Sequence, residues 1–399
     1  MSRTSLAALL ATALLAPVPL AGAAAAGTGE PVVAVRAGGA LTLTGHGYGH
    51  GRGMSQYGAE GAARQGLSSA RILAFYYPGT VVSRLGGRIS VRIGADTTAD
   101  TVVGASSRLV ARVVGQPSQK WGLASLRPTA TRWRLKPLSA TRTALAAQLP
   151  GGRWVRAKVL AGTAEFFAGG APITLYLPGG SAAYRGALRN APAGGADRDT
   201  VNVLTLDSYV RGVVAREMPA SWSAAALQAQ AVAARTYAAY DRAHTPAGRA
   251  YQTCDSTSCQ VYGGVAAETR ASDAAVAATG GQVMTYAGQP AFTQFSSSSG
   301  GWTVLGSVPY QAAKADPYDG WAGNHVHDWT TKVTAAQLSA AWPAIGTPTG
   351  VQVLSRDGNG DWGGRVGRLR VSGSKGTVTV DGTDFRTRLG LRSTYFTIG

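Results

Sequence analysis

Apolar and polar positions change rhythm several times along the chain. Residues 31–44 alternate, with Val32, Val33 and Val35 and then Leu41 and Leu43, which predicts short strands. The next segment, GHGYGHGRGMSQYG at 45–58, holds six glycines and predicts a loop led by its backbone. Helices are expected over Tyr57–Gln65 and Ser69–Tyr77, the second stopped by Pro78-Gly79. From 85 to 215 the signals are β: RISVRIG, SRLVARVVG, RWVRAKVL, ITLYL and TVNVLTL, with NAPAGGADRD at 190–199 as the clearest loop. The strongest helical pattern runs from about Ser223 to Arg242. Leu227, Ala231, Ala234 and Ala238 share one face, while Ala225, Val232, Ala233 and Ala239 occupy the others. A helix apolar nearly all round belongs in the centre of a core.

A second alanine-rich helix is expected at about 271–278, then a strand pair in GQVMTY and PAFTQFS and a loop from Ser296 to Trp329. The remainder returns to β in GVQVLS, GRVGRLRVSG and GTVTVDG, with a small helix in DFRTRLG and a last strand in STYFTI. No repeat of solenoid period is present. The order implies an α+β fold: a β-rich scaffold around a central buried Ala-rich helix.

Composition narrows the classes. The 399 residues are 45% hydrophobic, enough for a core and too many for a disordered chain, and two cysteines cannot staple this length. Lys and Arg number 38 against 20 Asp and Glu, a net charge of +18 with only six lysines. Such a surface favours polyanions: nucleic acid, anionic lipid or anionic cell-wall polymer. Residues 1–26 carry a single Arg3, an apolar run from Leu6 to Leu20, and small residues at Ala21, Ala23, Ala24 and Ala26. That layout is a secretory signal peptide; Pro17 and Pro19 count against the alternative, a buried helix. No later segment approaches the ~20 apolar residues of a membrane span. The expectation is a secreted protein located at the cell wall, with no nucleic-acid partner and no membrane span after signal cleavage.

Candidate chemistry starts from scarcity. There are five glutamates: Glu30, Glu60, Glu165, Glu217 and Glu268. Glu217, in VVAREMPASW, is the one beside the buried helix, where a strand-like run stops and Pro219 forbids its continuation. Eighteen residues on, Arg235 lies inside the Ala-rich helix and needs an acceptor if buried. Glu217 is the expected carboxylate, either as a plain buried ion pair or as part of a site. Cys254 and Cys259 flank DSTS; a disulfide is the preferred reading, and half of a zinc site completed by His244 or another histidine is the alternative. No cofactor is otherwise expected, and no metal ligand set is assigned. His46 and His50 sit in the glycine loop, where imidazole has no packing role. His325 and His327 are read as a strand alternation with one side chain inward. The Asp357-Gly-Asn359-Gly-Asp361 run begins like a calcium loop, but Trp362 stands where glycine belongs and Arg368 where the bidentate Glu belongs, so a hairpin turn is expected. Ser296–Ser299 lack the surroundings of a serine nucleophile.

Five segments together resemble the SpoIID/LytB family of bacterial cell-wall proteins: REMPASWSAAALQAQAVAARTYA (216–238), CQVYGG (259–264), FSSSSGGWT (295–303), FRTRLGLRSTYF (385–396) and GHGRGMSQYGAEGAARQG (49–66). The resemblance implies a lytic transglycosylase that cleaves MurNAc–GlcNAc bonds of peptidoglycan glycan strands, with Glu217 as the single acid/base. The alternative it implies is a non-catalytic wall-binding enhancer of an N-acetylmuramoyl-L-alanine amidase. Either way the implied partners are glycan strands and an amidase, and the implied setting includes sporulation. The family's cleft residues map onto Arg235, Gln260, Tyr262, Ser297, Ser298, His50, Ser55 and Gln56 as substrate-binding positions. One feature departs from the family: the GHGxGMSQYG segment precedes everything else here instead of following the LRSTYF strand. The order resembles a circular permutation and divides the chain into 1–26 signal peptide, 27–84 permuted segment, 85–190 β-rich domain or insertion and 191–399 SpoIID-like core. Permutation requires that 395–399 lie close to 40–46, and that the glycine loop return to the Glu217 cleft.

Overall fold

The computed structural model describes residues 29–195 and 197–399; the expected signal peptide at 1–26 lies outside the described residues. With 24% of the chain helical and 36% in strands, the fold is α+β and β-rich. Among the described residues no helix is long and apolar enough to cross a membrane.

The helix Ala224–Ala243 is the hub. Twelve of its residues are buried, most of them alanines, and the short side chains let four helices and a strand approach closely. Its neighbours are Gln56–Arg64, Ser69–Tyr76, Leu206–Glu217 and Arg270–Ala278, with the strand Gln282–Tyr286. Caps are local and legible. Ser55 Oγ accepts from the Gly58 amide, and Thr205 Oγ1 from that of Ser208, each satisfying a first-turn donor.

Two sheets carry the region 85–205. One runs in the order Thr253–Cys254, Arg88–Arg92, Asp197–Thr205, Ala187–Gly194, Ala164–Phe167, Val110–Val113, Lys120–Gly122. The other runs Trp154–Ala161, Arg142–Gln148, Arg132–Ser139, Thr101–Gly104, Ile173–Leu177, Gly180–Tyr184. Their inner faces join one continuous hydrophobic cluster, from Val103, Trp133 and Leu135 to Tyr209 and Ala229 at the hub. A second cluster, around Leu43, Trp342, Leu369, Phe385 and Phe396, lies under the sheet built from Pro348–Arg356, Val366–Gly373 and Gly376–Asp381.

Two segments depart from the structure their sequence predicts. Segment 190–199 is mostly strand: Ala187–Gly194 and Asp197–Thr205 form an antiparallel pair, with a register shift near Pro192 and Gly194 that absorbs the turn-forming residues. The run ending at Glu217 is the helix Leu206–Glu217 and not a strand. A short apolar run does not distinguish the two by periodicity alone.

Segments 40–46 and 396–398 meet in one sheet. Strand Ala40–His46 pairs antiparallel with Phe396–Ile398, Leu43 opposite Ile398 and Gly45 opposite Phe396. On its other edge it pairs with Asp328–Thr334. The Asp357–Asp361 run is the turn between Pro348–Arg356 and Val366–Gly373. His325 and His327 precede the strand Asp328–Thr334 and are not part of its alternation.

Candidate functional site

The glycine segment is bound to the serine-rich segment backbone to backbone. Phe295 and Ser296 pair in parallel with Met54 and Ser55, and Tyr48 exchanges both hydrogen bonds with Ser298. Gly53 explains why side chains are excluded: its φ is +65°, and a Cβ there would collide with the Gln294 carbonyl. The result is a cavity of about 640 Å³ lined by both segments, by the end of Leu206–Glu217 and by the loop after the disulfide. That volume lies within the range of small-molecule pockets. His50, Gln56, Glu217, Gln260 and Ser297 all line it.

Glu217 is the last residue of its helix, released where Met218 turns extended ahead of Pro219. Its Oε1 accepts the Val261 N–H at 3.0 Å. Burial pushes its pKa up, opposed by the Val261 amide and by the facing Gln56 side chain, whose Nε2 makes no well-formed hydrogen bond. The negative end of the helix dipole acts in the same upward direction. The other glutamates are all neutralised: Glu30 by Arg356, Glu60 by Arg64, Glu165 by Arg112 and Arg189, Glu268 by Arg185. Among the described residues Glu217 is the one glutamate without an ion pair.

His50 keeps an edge in solvent, yet close packing of its ring, then the charges of Arg52, Arg365 and Arg386, push its pKa down to about 4. Its Nδ1 accepts the Arg52 amide at 3.0 Å, so the neutral ring carries its proton on Nε2, facing the Phe295 backbone. Gln260 spends Oε1 on the Tyr209 hydroxyl at 3.1 Å, and its Nε2 has no partner among the described residues.

Four assigned residues stand elsewhere. Arg235 does not reach Glu217. It is fully buried, with Nε on Asp207 at 2.7 Å and an Nη on the Gln282 carbonyl at 3.1 Å. Asp207 and Glu217 occupy opposite ends of one helix, ten positions or roughly 15 Å apart. Arg235 therefore joins the helix start to the core. Tyr262 is buried behind the cavity wall, its hydroxyl donating to Asn202 Oδ1 at 2.8 Å and its ring against Tyr209. Ser55 and Ser298 point away from the cavity to Asp319, at 2.5 and 2.7 Å.

Asp319, an aspartate in the long loop after the serines, is not marked by glutamate scarcity. Fully buried, it also accepts the amides of Ser299 and Gly300 and the Nδ1 of His327 at 2.8 Å. Burial raises its pKa, but the bonds from His327, Ser55 and Ser298 prevail and hold it below the usual carboxylate range. Its neighbour Asp316, bonded to Tyr76 and Ser299, is pushed up to about 6 by burial and by Asp319. The sequence signal was a pair of carboxylates, ADPYD, inside the long loop after the serines. Arg216, Tyr48, Tyr237 and Gln294 also line the cavity and had not been singled out; Arg216 is adjacent to Glu217 in sequence.

Cys254 and Cys259 form a disulfide, with Cα atoms 5.5 Å apart, so their sulfurs are not thiolate ligands. His244 stacks on Tyr240, its Nδ1 against that residue's carbonyl. Among the described residues no three His, Cys, Asp or Glu side chains converge on a metal position. The half-zinc arrangement does not fit this geometry.

Residues 195–286, which contain Glu217, the hub helix and the disulfide loop, match the family described as Stage II sporulation protein, SpoIID. The chain is 39% identical over 135 residues to the amidase enhancer of Bacillus subtilis, covering 32% of this chain and 17% of that protein. It is 30% identical over 217 residues to stage II sporulation protein D of Bacillus amyloliquefaciens, covering 49% of this chain and 61% of that protein. The B. subtilis stage II sporulation protein D matches to the same extent, 30% over 228 residues. The chain thus spans less than two thirds of the length of each of these relatives. The segment that builds the Glu217 wall of the cavity is thus similar to the SpoIID/LytB family.

Proposed function

We propose that the protein is a peptidoglycan lytic transglycosylase with Glu217 as its single acid/base. The observation that carries this reading is the state of Glu217: unpaired, half-buried in an open cavity, and shifted toward the protonated form while every other glutamate is salt-bridged. Hydrolysis by two carboxylates requires a second acid across the bond. No other Asp or Glu lines this cavity. A reaction in which the sugar supplies its own nucleophile needs only one.

Protonated Glu217 donates to the glycosidic oxygen as that oxygen leaves the anomeric carbon of MurNAc. The C6 hydroxyl of the same sugar then bonds to the anomeric carbon and returns its proton to the carboxylate. The products are a 1,6-anhydro end and a free sugar hydroxyl, no water is consumed, and Glu217 is regenerated. The Val261 amide holds the carboxylate in place between the two transfers. Arg216 supplies the guanidinium in the cavity wall for a substrate carboxylate, the role Arg235 is too distant to fill. His50, Gln56, Gln260 and Ser297 offer hydrogen bonds to hydroxyl and N-acetyl groups.

Export to the wall belongs to the same proposal, supported by the leader pattern at 1–26 and the +18 charge. Circular permutation is our reading of the segment order, supported by the pairing of Ala40–His46 with Phe396–Ile398. A second reading, stimulation of an amidase without cleavage, is supported by the likeness to the amidase enhancer. Incubation with glycan strands stripped of stem peptides, followed by mass analysis, separates the two. Wild type is expected to release anhydro-ended fragments and Glu217→Gln to lose roughly 10²–10⁴-fold of that rate. Equal turnover by the variant refutes the acid/base role. No fragments from wild type, together with faster peptide release when the protein is added to an amidase acting on peptide-bearing peptidoglycan, establishes the enhancer.

A further inference from the structure

The charge of this chain is not spread evenly. Residues 101–160 carry eleven of the 38 Lys and Arg and none of the 20 Asp and Glu. Eleven of the eighteen net charges therefore fall on sixty residues that contribute nothing to the Glu217 cavity.

Strand pairing shows where they go. In the sheet containing Arg132–Ser139, Arg142–Gln148 and Trp154–Ala161, the inward side is core: Trp133, Leu135, Leu145 and Ala147 are all buried. The outward side is built in rows across the strands. Arg134 faces Ala146, which faces Arg156; Arg132 faces Gln148, which faces Trp154; Lys136 faces Ala144. Along the middle strand Ala144 and Ala146 are covered by their neighbours, so the row Arg132, Arg134 and Lys136 on one side and Arg156 on the other set the charge of this face. Outward residues on one strand stand about 6.6 Å apart, and the two outer strands about 10 Å apart. Arg134 has one acidic neighbour, Asp100 at 3.4 Å. Arg132, Lys136 and Arg156 have no carboxylate within salt-bridge distance among the described residues.

We propose that this outer face is a second binding surface, for an extended phosphodiester-linked wall polymer of the poly(polyol phosphate) class. Guanidinium forks recognise phosphate oxygens bidentately, and a flat face with regularly spaced cations suits a regularly charged extended chain. Nucleic acid fits less well. The aromatic rings of this face are already covered, Trp154 by Arg134 at 4.4 Å and Tyr176 by Arg132 at 3.7 Å, so neither is a bare platform for bases. A lipid surface fits less well because the exposed apolar residues here, Leu138 and Val159, are single and form no wedge. The choice of a wall polymer rests on the wall-acting function proposed above; the existence of the polyanion face does not.

The test uses the full chain and purified poly(glycerol phosphate), with phosphatidylglycerol vesicles and duplex DNA as competing probes at equal charge. Arg132→Gln/Lys136→Gln/Arg156→Gln is expected to weaken polymer binding about tenfold or more and to reduce the log–log salt slope by roughly two. Arg368→Gln/Arg370→Gln/Lys375→Gln removes the same charge from exposed positions on another sheet and should stay within about twofold of wild type. The single exposed change Arg156→Gln, expected to weaken binding about threefold, guards against misfolding of the triple variant. Equal losses in both triple variants, or no loss in either, overturn the face. Tighter binding of DNA or vesicles than of the polymer overturns the choice of ligand. Cleavage of polymer-free glycan should be unchanged in both triples, so failure of this proposal and failure of the Glu217 reading are read separately.

Discussion

Glu217 and Asp319 lie on two sides of the same serine-rich segment, and they have opposite surroundings. Asp319 receives a hydrogen bond from nearly every group around it: two serine hydroxyls, two backbone amides, a histidine and the Asn324 amide. It is a fixed anion that draws Ser55, Ser298 and His327 together and thereby holds the glycine and serine segments in register. Glu217 receives one well-formed bond, from Val261, and faces space. Burial disfavours charge in both places, but only at Asp319 is the cost offset by donors. A carboxylate with many donors is structural because its proton affinity is spent; one with few is available to exchange a proton. Counting donors separates the two more sharply than counting acids along the sequence.

The largest effect that tests this contrast is expected at Asp319. Asp319→Asn keeps the shape but removes the charge facing His327, and it sets an amide against groups that donate. We expect a loss of about 2–4 kcal/mol, measured by urea unfolding at neutral pH. Because the folded pKa is depressed, this stabilisation is present above the usual Asp range and is lost as pH falls through the folded value. A variant as stable as wild type would mean that Asp319 is not the organising anion.

Glu217 should behave with the reverse sign. Its folded pKa is raised, so its contribution to stability is present below the usual Glu range and is lost as pH rises through the folded value. Glu217→Gln, inactive by the reading above, is therefore expected to unfold at higher urea than wild type at neutral pH, with the gap closing under acid conditions. A variant less stable at neutral pH would contradict a desolvated carboxylate. Wild-type cleavage should fall as pH rises through the same pKa, since the acid form starts the reaction. A rate that climbs steadily through that range would require Glu217 to act only as a base.

The smallest expected effect concerns Tyr262. Tyr262→Phe removes one buried hydrogen bond to Asn202, at a cost of about 1 kcal/mol by urea unfolding, with an unchanged profile of glycan fragments. An altered profile at full stability would return Tyr262 to the cavity wall.

Much of the fold was legible because its signals are local. The helices Gln56–Arg64, Ser69–Tyr76 and Ala224–Ala243 follow from caps, a Pro-Gly stop and alanine periodicity. The α+β, β-rich class follows from alternation. Errors fell where local signals conflict with context. Pro192 and Gly194 read as loop but are absorbed by an irregular hairpin, and VVARE reads as strand but lies on a helix. Glutamate scarcity was enough to single out Glu217.

Sequence alone determined which residues were candidates: the one glutamate beside the Ala-rich helix, glycines that tolerate left-handed backbone, and a sixty-residue stretch without a carboxylate. Tertiary structure decided which partner each one meets. Arg235 and Glu217 are matched by proximity along the chain, yet helix geometry puts Asp207 under the guanidinium and leaves Glu217 about 15 Å away along the axis. Cys254 and Cys259 are linked to each other, and Ser55 and Ser298, 243 positions apart, share one aspartate. Charge type is written residue by residue, whereas proton affinity depends on how many donors and how much water packing leaves around a group. That count exists only once the chain has folded.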